Sequence, residues 1–234
     1  MSDLTDSLKW ELKKNPLFQD LDDETFDRLL QSASPKIHKA RSTVFHQGDA
    51  GGSMQLILSG QIKISTVNAT GKECVLAFMG PGDVIGEMSM LDGGPRTASA
   101  VVMEQSRVLE LTRLSFNRVL ENNPSTGVKI IEILCKRLRA TSAMVEDATL
   151  ITAAPRLSRT LLRLAEQNGV EADGGTMIDL NLSQSTLGAY AGLLRESVNR
   201  QLRAWEAENI VAKHDNKIVI LDKAALAEIS ESAI

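Results

Sequence analysis

Residues 86–99, GEMSMLDGGPRTAS, hold side chains that could bind an anion and a sugar hydroxyl within one short stretch. Arg96 provides a charge-assisted donor suited to a phosphate, and Thr97 adds a hydroxyl next to it. Gly86 and the later glycine pair allow the backbone to approach a ligand closely. Glu87 is an acceptor that suits a sugar hydroxyl and would repel a phosphate. Together these residue types fit a ribose phosphate.

The same stretch also has an interpretation without a ligand. An ion pair between Glu87 and Arg96 inside a long turn would account for both charges, and residue types alone leave the two interpretations equally open. The stretch is too short and too rich in glycine for the interior of a helix, and too polar for a buried strand. We therefore expect a loop here.

A second stretch, residues 183–205, has the pattern of two helices joined by a tight turn at Gly192. Ser183 can cap the first helix. The residues expected to face inward from the first helix and the turn are Leu187, Ala191 and Leu194. Those expected on the core side of the second helix are Val198, Leu202 and Trp205.

The exposed N-terminal half of the second helix carries the groups that could read DNA. Arginine can donate two hydrogen bonds to guanine, and glutamate can accept one from cytosine N4. A solvated charged face with an Arg195–Asn199 or Glu196–Arg200 contact is the alternative. The glycine turn, the apolar back and the hairpin that follows favour DNA. The predicted DNA-binding residues are Ser183, Gln184, Ser185, Arg195, Glu196, Asn199 and Arg200.

The N-terminal half of the chain is predicted to pass from helix into short strands. Residues 2–34 have helical patterning, with a rough apolar stripe at Leu17, Leu21, Phe26, Leu29 and Leu30. Residues 36–112 hold β-prone runs separated by glycines of near-constant spacing, namely Gly48, Gly60, Gly71, Gly82 and Gly93. Evenly spaced short strands with turn residues between them indicate an antiparallel sandwich, roll or barrel.

Residues 114–146 return to helical patterning, with a short piece ended by NNP and a longer helix from about Ser125. The longer helix has a heptad seam, which is typical of packing on a partner helix, although a partner within the same chain is also open. The seam positions are Ile131, Leu134, Leu138, Thr141 and Val145. Because the seam turns polar at Thr141, with Ser142 beside it, we expect a polar group to meet it there.

The remainder of the chain has the element order of a winged helix-turn-helix domain. Residues 147–155 are the predicted hinge, with Thr152 as a helix cap and Pro155 in a first turn. The elements that follow are a helix over 156–168, a loop over 168–175, a strand over 176–182, the two helices above, a hairpin turning at Asp215–Asn216 and a C-terminal helix.

Composition limits the classes of function. The chain has 234 residues, is 43% apolar and 24% charged, and has a net charge of −4, so DNA binding would need a local basic patch. It has neither a run of ~20 apolar residues nor a signal-peptide core, and we expect a cytoplasmic protein without a membrane partner. The cysteines and histidines lack metal-ligand spacing, and no nucleophile, zincin or P-loop motif occurs. We expect neither a metal nor an enzyme.

Four segments resemble the cyclic-AMP receptor protein (CRP/FNR) family and occur in that family's order. They are NPLFQDL, GDVIGEMSMLDGGPRTASAV, KRLRATSAMV and LLRESVNRQLRAWEAENIV. The resemblance covers nearly the whole chain. It implies an α+β fold with an N-terminal antiparallel β-roll that binds a cyclic nucleotide (1–124), a dimerisation helix (125–146), the hinge (147–155) and a C-terminal winged helix-turn-helix (156–234). It also implies a homodimeric, allosteric transcription regulator that binds a pseudo-palindromic DNA site.

The resemblance also assigns roles by position. The implied ligand-binding residues are Gly86, Glu87, Met88, Arg96, Thr97, Thr141 and Ser142. The glycine and glutamate would bind the ribose side, and Arg96 and Thr97 the cyclic phosphate. Thr141 would meet the purine edge, and Ser142 would reach the base bound in the other subunit. The implied effector is cyclic AMP, with cyclic GMP left open because a threonine hydroxyl can accept from adenine or donate to guanine.

The chain departs from the family at Leu194, where relatives often have a Ser or Thr that caps the recognition helix. We expect one phosphate contact to be missing and the preferred DNA sequence to differ. Because no N-terminal cysteine cluster is present, an iron–sulfur oxygen sensor is not expected. The alternatives are a regulator of the same fold that does not use cyclic nucleotides, an enzyme acting on them, and a structural dimer. The resemblance also implies RNA polymerase as a partner, through residues 168–175, although the composition of this loop alone indicates only a flexible turn.

Overall fold

The computed structural model describes residues 12, 13 and 15–232. The part of the predicted N-terminal helix on residues 2–11 and 14 lies outside these described residues. The chain divides into two units. One comprises the residues before Glu73 together with Leu76–Leu138, and the other comprises Glu73–Val75 together with the residues from Arg139 onward. The domain boundaries expected from the sequence stay predictions.

Within the described residues, eight strands precede the long helix and form two four-stranded sheets, with the orders β1-β8-β3-β6 and β2-β7-β4-β5. They are β1 (Ser34–His38), β2 (Thr43–Phe45), β3 (Ser53–Ser59), β4 (Ile62–Val67), β5 (Glu73–Met79), β6 (Val84–Ile85), β7 (Ser99–Val102) and β8 (Ser106–Thr112). The pairs β1–β8, β3–β6, β3–β8, β2–β7 and β4–β7 are antiparallel. The predicted antiparallel β-domain is confirmed, with β1 and the short β6 as strands that the pattern did not indicate.

The first helix that lies wholly within the described residues is α1, which Asp22 caps by accepting a hydrogen bond from the Thr25 N–H at 2.8 Å. The helices that lie wholly within these residues are α1 (Asp23–Ser32), α2 (Glu87–Asp92), α3 (Arg113–Asn122), α4 (Pro124–Leu150), α5 (Ala153–Asn168), α6 (Gln184–Ala191), α7 (Arg195–Ala207) and α8 (Lys223–Glu231). Residues 15–20 form turns, so the helix predicted over them is wrong. The Asn15 side chain accepts from the Leu17 N–H at 2.9 Å, and such a local bond competes with helical bonding.

Residues Glu87–Asp92 form α2, so the loop predicted over residues 86–99 is wrong in this part. Gly86 and Gly93 flank this helix with φ of 76° and 81°, and the Gly93 N–H donates to the Ser89 carbonyl. The two glycines therefore act as ends of a helix rather than as signs of a loop. A helix of six residues is too short for its apolar periodicity to be recognised.

Two apolar clusters of described residues hold the strands and helices of the first unit together. The larger one includes Phe18, Phe26 and Phe116, which are at most 1% exposed, and reaches Ile130 in α4. The smaller one contains Ile57, Ile62, Ile85, Ala100 and Val108. Full burial of a large apolar side chain contributes about 1.5–3 kcal/mol. These clusters therefore fix the strands from which residues 86–97 extend.

The helical break after α4 is shorter than the predicted hinge over residues 147–155. Because α4 extends to Leu150 and α5 begins at Ala153, the break comprises residues 151–152. Thr152 occupies the N-cap position of α5 but makes no side-chain cap hydrogen bond. Pro155 lies in the first turn of α5, as predicted, where its missing N–H has no helical partner to lose.

The last part of the chain contains a four-stranded sheet with the order β11-β12-β10-β9. Its strands are β9 (Gly169–Ala172), β10 (Gly175–Ile178), β11 (Val211–His214) and β12 (Lys217–Ile220). The loop predicted over residues 168–175 is wrong, because these residues form the β9–β10 hairpin, and the strand predicted over 176–182 ends at Ile178. The glycines of the β9–β10 hairpin gave this segment the sequence pattern of a loop. The hairpin turning at Asp215–Asn216 is confirmed.

His38, at the end of β1, is expected to make the stability of the protein depend on pH. Burial lowers the pKa of His38 from its ordinary value, with the Lys36 charge adding to the shift and Glu110 opposing it. Because the unfolded chain binds this proton more readily, stability is present above the unfolded pKa and decreases as the pH falls through the folded pKa. One such group contributes a slope of at most about 1.4 kcal/mol per pH unit.

Urea unfolding at a series of pH values between about pH 8 and pH 5 measures this slope. The variant His38→Gln should lose less stability on acidification than the wild type. At the alkaline end the difference between the two proteins should stay constant, because the imidazole of the wild type is then neutral and a glutamine amide does not titrate. Identical slopes for the two proteins across the whole range would contradict the prediction.

Candidate functional site

Arg96 is the centre of the candidate ligand site and is almost fully buried, at 6% exposure. Its Nη1 donates to the Gly86 carbonyl at 2.7 Å and to the Ser89 hydroxyl at 2.8 Å. Its Nη2 lies 3.5 Å from the Ser53 hydroxyl, and its guanidinium lies 4.3 Å from the centre of the Phe45 ring. Among the described residues, its Nε has no hydrogen-bond partner. A buried cation with an unused donor is suited to an anion.

Gly86 allows this arrangement because a side chain at its position would be strained and would collide with the guanidinium as it now lies. A Cβ atom built at Gly86 would lie 2.3 Å from the Arg96 Nη1, and the φ of 76° is one that L side chains rarely adopt. The backbone and the guanidinium therefore approach each other only because this residue lacks a side chain. The start of α2 at Glu87 therefore lies directly next to the buried guanidinium of Arg96.

A carboxylate on β8 balances the charge of Arg96. Glu110 accepts a hydrogen bond from the Ser53 hydroxyl at 2.9 Å and forms an ion pair with Lys36. Burial lowers the pKa of Arg96 from its ordinary value, and the nearby carboxylates oppose this shift, Glu110 most strongly. Because an arginine starts from a pKa far above neutral, the guanidinium remains charged in this site.

Glu87 forms an ion pair with Arg137 of α4. Within the described residues it forms none with Arg96, so the internal ion pair that the sequence left open is not formed. Glu87 is 1% exposed, and Arg137 also donates to the Val84 carbonyl. Arg137 therefore joins the start of α2 to the long helix. Sequence reasoning missed this residue, and its place one helical turn before Thr141 was the available signal.

Met88 and Thr97 lie at the exposed edge of the site. The Thr97 hydroxyl is 3.9 Å from the Met88 sulfur, and the methionine is 44% exposed. The structure thus brings Gly86, Glu87 and Arg96 together, with Met88 and Thr97 beside them in the chain. Of the remaining predicted ligand residues, Thr141 and its neighbour Ser142 are exposed positions of α4 in the second unit.

The predicted seam of α4 is uncovered in the single chain. Ile131, Leu138 and Val145 are 60%, 68% and 59% exposed, whereas Leu134 is partly buried against the core of the first unit. A contiguous exposed apolar surface on a protein marks an interaction site. The seam is therefore a surface that a further helix would cover.

The helix-turn-helix is formed by α6 and α7, as the sequence predicted. Ser183 caps α6 by accepting from the Thr186 N–H at 3.0 Å, and Gly192 ends it with φ of 68°. All but one of the residues predicted to face inward are buried. The buried ones are Leu187, Ala191, Val198, Leu202 and Trp205. The exception is Leu194, which is 67% exposed, so its predicted inward orientation is wrong. It occupies the extended N-cap position of α7 and therefore lies off the buried helical stripe.

Leu194 leaves α7 without a side-chain cap, which predicts a stabilising substitution. The variant Leu194→Ser should raise the free energy of unfolding by about 1 kcal/mol, because a serine oxygen can accept from a free N–H of the first turn. Leu194→Ala is the matched control, since it shortens the side chain without adding an acceptor. Urea unfolding followed by tryptophan fluorescence measures both variants. A serine variant no more stable than the alanine variant would refute the prediction.

The predicted DNA-reading residues share one exposed surface of α6 and α7. Arg195, Glu196 and Arg200 are exposed, while Asn199 is partly buried and accepts from the Gln184 amide at 3.2 Å. Among the described residues, neither the Arg195–Asn199 nor the Glu196–Arg200 contact of the alternative interpretation is formed. The charged side chains of this surface are thus free to meet another molecule.

A groove of about 290 Å³ lies between this surface and the β11–β12 hairpin. Ser183, Gln184, Ser185 and Arg195 line it on the helical side, and Lys213 and Lys217 line it on the hairpin side. The lysines pair with Glu206 and Asp179, at 2.9 Å and 2.5 Å. Sequence reasoning missed these two lysines, although their positions on either side of the predicted turn at Asp215–Asn216 were the available signal.

The described residues hold neither a metal-binding group of side chains nor a membrane-spanning helix. In the part of the chain that the structure describes, no three His, Cys, Asp or Glu side chains are placed to hold a metal ion. None of the described helices has both the length and the apolar character that crossing a bilayer requires. Cys74 and Cys135 are both free thiols.

Comparison with known proteins matches a domain family to the region of the candidate ligand site and another to the helix-turn-helix region. A cyclic nucleotide-binding domain model matches residues 35–123, and a Crp-like helix-turn-helix domain model matches residues 155–229. The cyclic AMP receptor protein of Thermus thermophilus is 31% identical over 219 residues, which cover 94% of this chain and 98% of that protein. This chain belongs to the CRP/FNR family. A CRP-like cAMP-activated global transcriptional regulator of Mycobacterium tuberculosis is 28% identical over 216 residues, 92% of this chain and 96% of that protein.

A solved structure agrees with the CRP/FNR fold. FixK2 from Bradyrhizobium japonicum superposes with a TM-score of 0.75 at 20% identity, covering 86% of this chain and 99% of that one. The predicted α+β class is confirmed, with antiparallel sheets, a long helix and a C-terminal helix-turn-helix. As a CRP/FNR member, the protein is a transcription regulator with a cyclic nucleotide-binding domain and not an enzyme.

Proposed function

We propose that this CRP/FNR-family protein is a homodimer that binds cyclic AMP and, in that state, a pseudo-palindromic DNA site. The observation that carries the proposal is the burial of Arg96 with an unpaired Nε next to Gly86. A cyclic phosphate placed there would meet the Nε and Nη2 of one guanidinium, which is the paired-donor pattern that phosphate oxygens favour. The Thr97 hydroxyl would add a further donor.

The ribose would contact Gly86 and Glu87, with Met88 at the edge of the same site. Since Glu87 already pairs with Arg137 of α4, a ribose hydroxyl that bonds to Glu87 would also alter the attachment of the long helix. This supports an allosteric role, because a ligand shifts a protein between two states only through contacts that differ between them. Moving a 1:99 mixture to 99:1 needs about 5.5 kcal/mol, which two ligands per dimer can share.

The exposed seam of α4 supports the homodimer. Two copies of α4 would bury the apolar positions of both seams in one parallel coiled coil. Thr141 and Ser142 would then lie at the dimer interface, where the purine would meet Thr141 of its own chain and Ser142 of the partner chain. The polar step in the seam would thus be satisfied by the nucleotide base.

The DNA half-sites would be read by the two α7 helices. In a dimer of this kind the recognition helices lie about 34 Å apart and enter successive major grooves. Arg195, Glu196 and Arg200 would contact base edges, with Asn199 held by Gln184. Ser183 and Ser185 at the start of α6 and the lysines of the β11–β12 hairpin would contact phosphates. Contact with RNA polymerase through the β9–β10 hairpin stays a prediction.

Arg195→Ala is expected to reduce discrimination at one base pair by about 1–3 kcal/mol, because the lost contact is a bidentate one to guanine. DNA selection with the wild type and the variant measures the preference at each position. Lys213→Ala serves as the control, since a phosphate contact should weaken binding to all sequences alike and lower the salt dependence. A uniform loss with Arg195→Ala would make Arg195 a phosphate contact instead.

The experiment that tests the proposed function is calorimetric titration with cyclic AMP and with cyclic GMP, followed by DNA selection at fixed salt with each nucleotide. Cyclic AMP binding that sharpens DNA selection would support the proposal. Binding of both nucleotides with only one promoting DNA binding would place the discrimination at Thr141 and Ser142. If neither nucleotide binds and DNA selection is intact, the protein is a regulator of this family that responds to another effector.

A further inference from the structure

Three arginines lie on one face of α5, at positions 156, 159 and 163. These arginines and the groups that they bond all lie within the second unit, which includes the end of α4 from Arg139 onward. Each arginine contacts the end of α4 or the break after it, and each also contacts a different element of the DNA-binding domain. This double attachment distinguishes the row from an ordinary charged helix face.

Asp147, near the end of α4, forms ion pairs with two of the three arginines. Arg159 donates from Nη1 to one carboxylate oxygen at 3.2 Å, and Arg163 donates from Nη1 to the other at 3.4 Å. The Asp147 side chain is 8% exposed, so the two arginines contact its carboxylate in place of most of the water. A buried carboxylate shared between two cations restricts the direction in which α5 can leave α4.

Arg156 spans the helical break itself. Its Nη2 donates to the Ile151 carbonyl at 2.5 Å, and its Nη1 donates to the Gly192 carbonyl at 3.4 Å. Ile151 lies between α4 and α5, whereas Gly192 ends α6 in the turn that leads to α7. One guanidinium therefore holds the break and the turn before the recognition helix at a set distance.

The other two arginines extend to the remaining helices of the DNA-binding domain. Arg159 donates from Nε to the Ser230 carbonyl of α8 at 3.1 Å. The guanidinium of Arg163 lies 5.5 Å from the centre of the Tyr190 ring in α6. The row thus connects the end of α4 to α6, to the α6–α7 turn and to α8.

We infer that Arg156, Arg159 and Arg163 with Asp147 form a junction that fixes the orientation of the helix-turn-helix on the end of α4. Asp147 and Arg156 are positioning residues for α7, since neither needs to touch DNA. Resting on the proposed function, the inference adds that nucleotide binding changes DNA affinity through this junction. An arginine fork suits such a role because it bonds two fixed acceptors at once, which a lysine ammonium does not do in the same geometry.

The first test measures orientation without any nucleotide. Spin labels on Arg139→Cys and Arg203→Cys, in a Cys74→Ser, Cys135→Ser background, report the distance between α4 and α7. Labelled chains are diluted into unlabelled chains, so that each distance is measured within one chain. We expect one narrow distance distribution in the reference protein and a broadened or shifted one in Asp147→Asn. An unchanged distribution in Asp147→Asn would overturn the junction.

Two further variants keep this test decisive. Asp179→Asn removes the charge of the exposed pair with Lys217 in the same unit and should keep the reference distribution. If circular dichroism shows that Asp147→Asn has lost its fold, Arg156→Lys decides, because it keeps the charge and removes the fork. A narrow, unshifted distribution in Arg156→Lys would then overturn the junction.

The second test measures coupling as the ratio of the DNA dissociation constants without and with cyclic AMP. Asp147→Asn should lower this ratio by about tenfold, with the affinity of the DNA-free protein for cyclic AMP unchanged. Asp179→Asn should leave the ratio at its reference value. If Asp147→Asn weakens DNA binding equally with and without cyclic AMP, the coupling role is refuted. A reference ratio of one would overturn the proposed function, while the distance measurement would still decide the junction.

Discussion

Replacing Arg96 with alanine is expected to weaken cyclic AMP binding by about 100-fold or more, because charge-assisted hydrogen bonds contribute roughly 1.5–3 kcal/mol each. Arg96 is buried next to Gly86, and its Nε and Nη2 have no strong partner among the described residues. No solvent-exposed cation could replace them, since burial is what makes the attraction strong. Arg96→Lys should recover part of the affinity, as it keeps the charge and loses the paired donors.

Calorimetric titration of the variants measures this effect, and Arg113→Ala is the matched control. Arg113 donates to the Ser89 carbonyl at 2.9 Å and to the Met90 carbonyl at 2.5 Å, so it supports α2 from another side. We expect Arg113→Ala to bind cyclic AMP nearly as the wild type does. Equal losses in both variants would place the effect in the folding of α2. Normal affinity in Arg96→Ala would exclude Arg96 from the ligand site.

The substitution Leu138→Asp is expected to convert the proposed homodimer into monomers and to weaken binding to a two-half-site DNA by about 100-fold or more, because linked sites gain that much from avidity. Leu138 is 68% exposed in the single chain, in the middle of the seam that a second copy would cover. A carboxylate buried there without a partner opposes association by several kcal/mol.

Sedimentation velocity and DNA titration measure the two consequences of Leu138→Asp. Ala140→Asp changes the net charge by the same amount at an exposed position of α4 that lies off the seam, and it should leave the dimer intact. Dissociation caused by Ala140→Asp would show a general effect of charge on the helix. A Leu138→Asp protein that stays dimeric would place the dimer interface elsewhere than this seam.

Local patterns predict most of the elements. The glycines at positions 48, 60, 71 and 82 indicate turns, and all four have φ between 80° and 92°. The apolar stripe of α7 is also predicted, and Val198, Leu202 and Trp205 are buried. Both predictions succeed because turn conformation and helical amphipathicity are properties of a few adjacent residues. The prediction for Leu194 fails because this residue precedes the helix, and the 3.6-residue helical period does not apply to its extended backbone.

The sequence pattern does not predict elements that are short or rich in glycine. The six residues of α2 and the β9–β10 hairpin both have the sequence pattern of loops. In each case glycines that end a helix or join two strands look the same as glycines that interrupt structure. The strand β9 becomes recognisable only through its pairing with β10, which the sequence of β9 does not contain.

The sequence by itself determined the family, the order of the elements, the residue types of the candidate site and the apolar seam of α4. Only the tertiary structure decided that Glu87 pairs with Arg137 rather than Arg96, that Arg96 is buried against Phe45, and that Asp147 is shared by two arginines of α5. The physical reason is that a charged side chain carries no local sign of its partner. The partner is selected by the packing of apolar residues elsewhere in the chain, which brings distant segments to hydrogen-bonding distance.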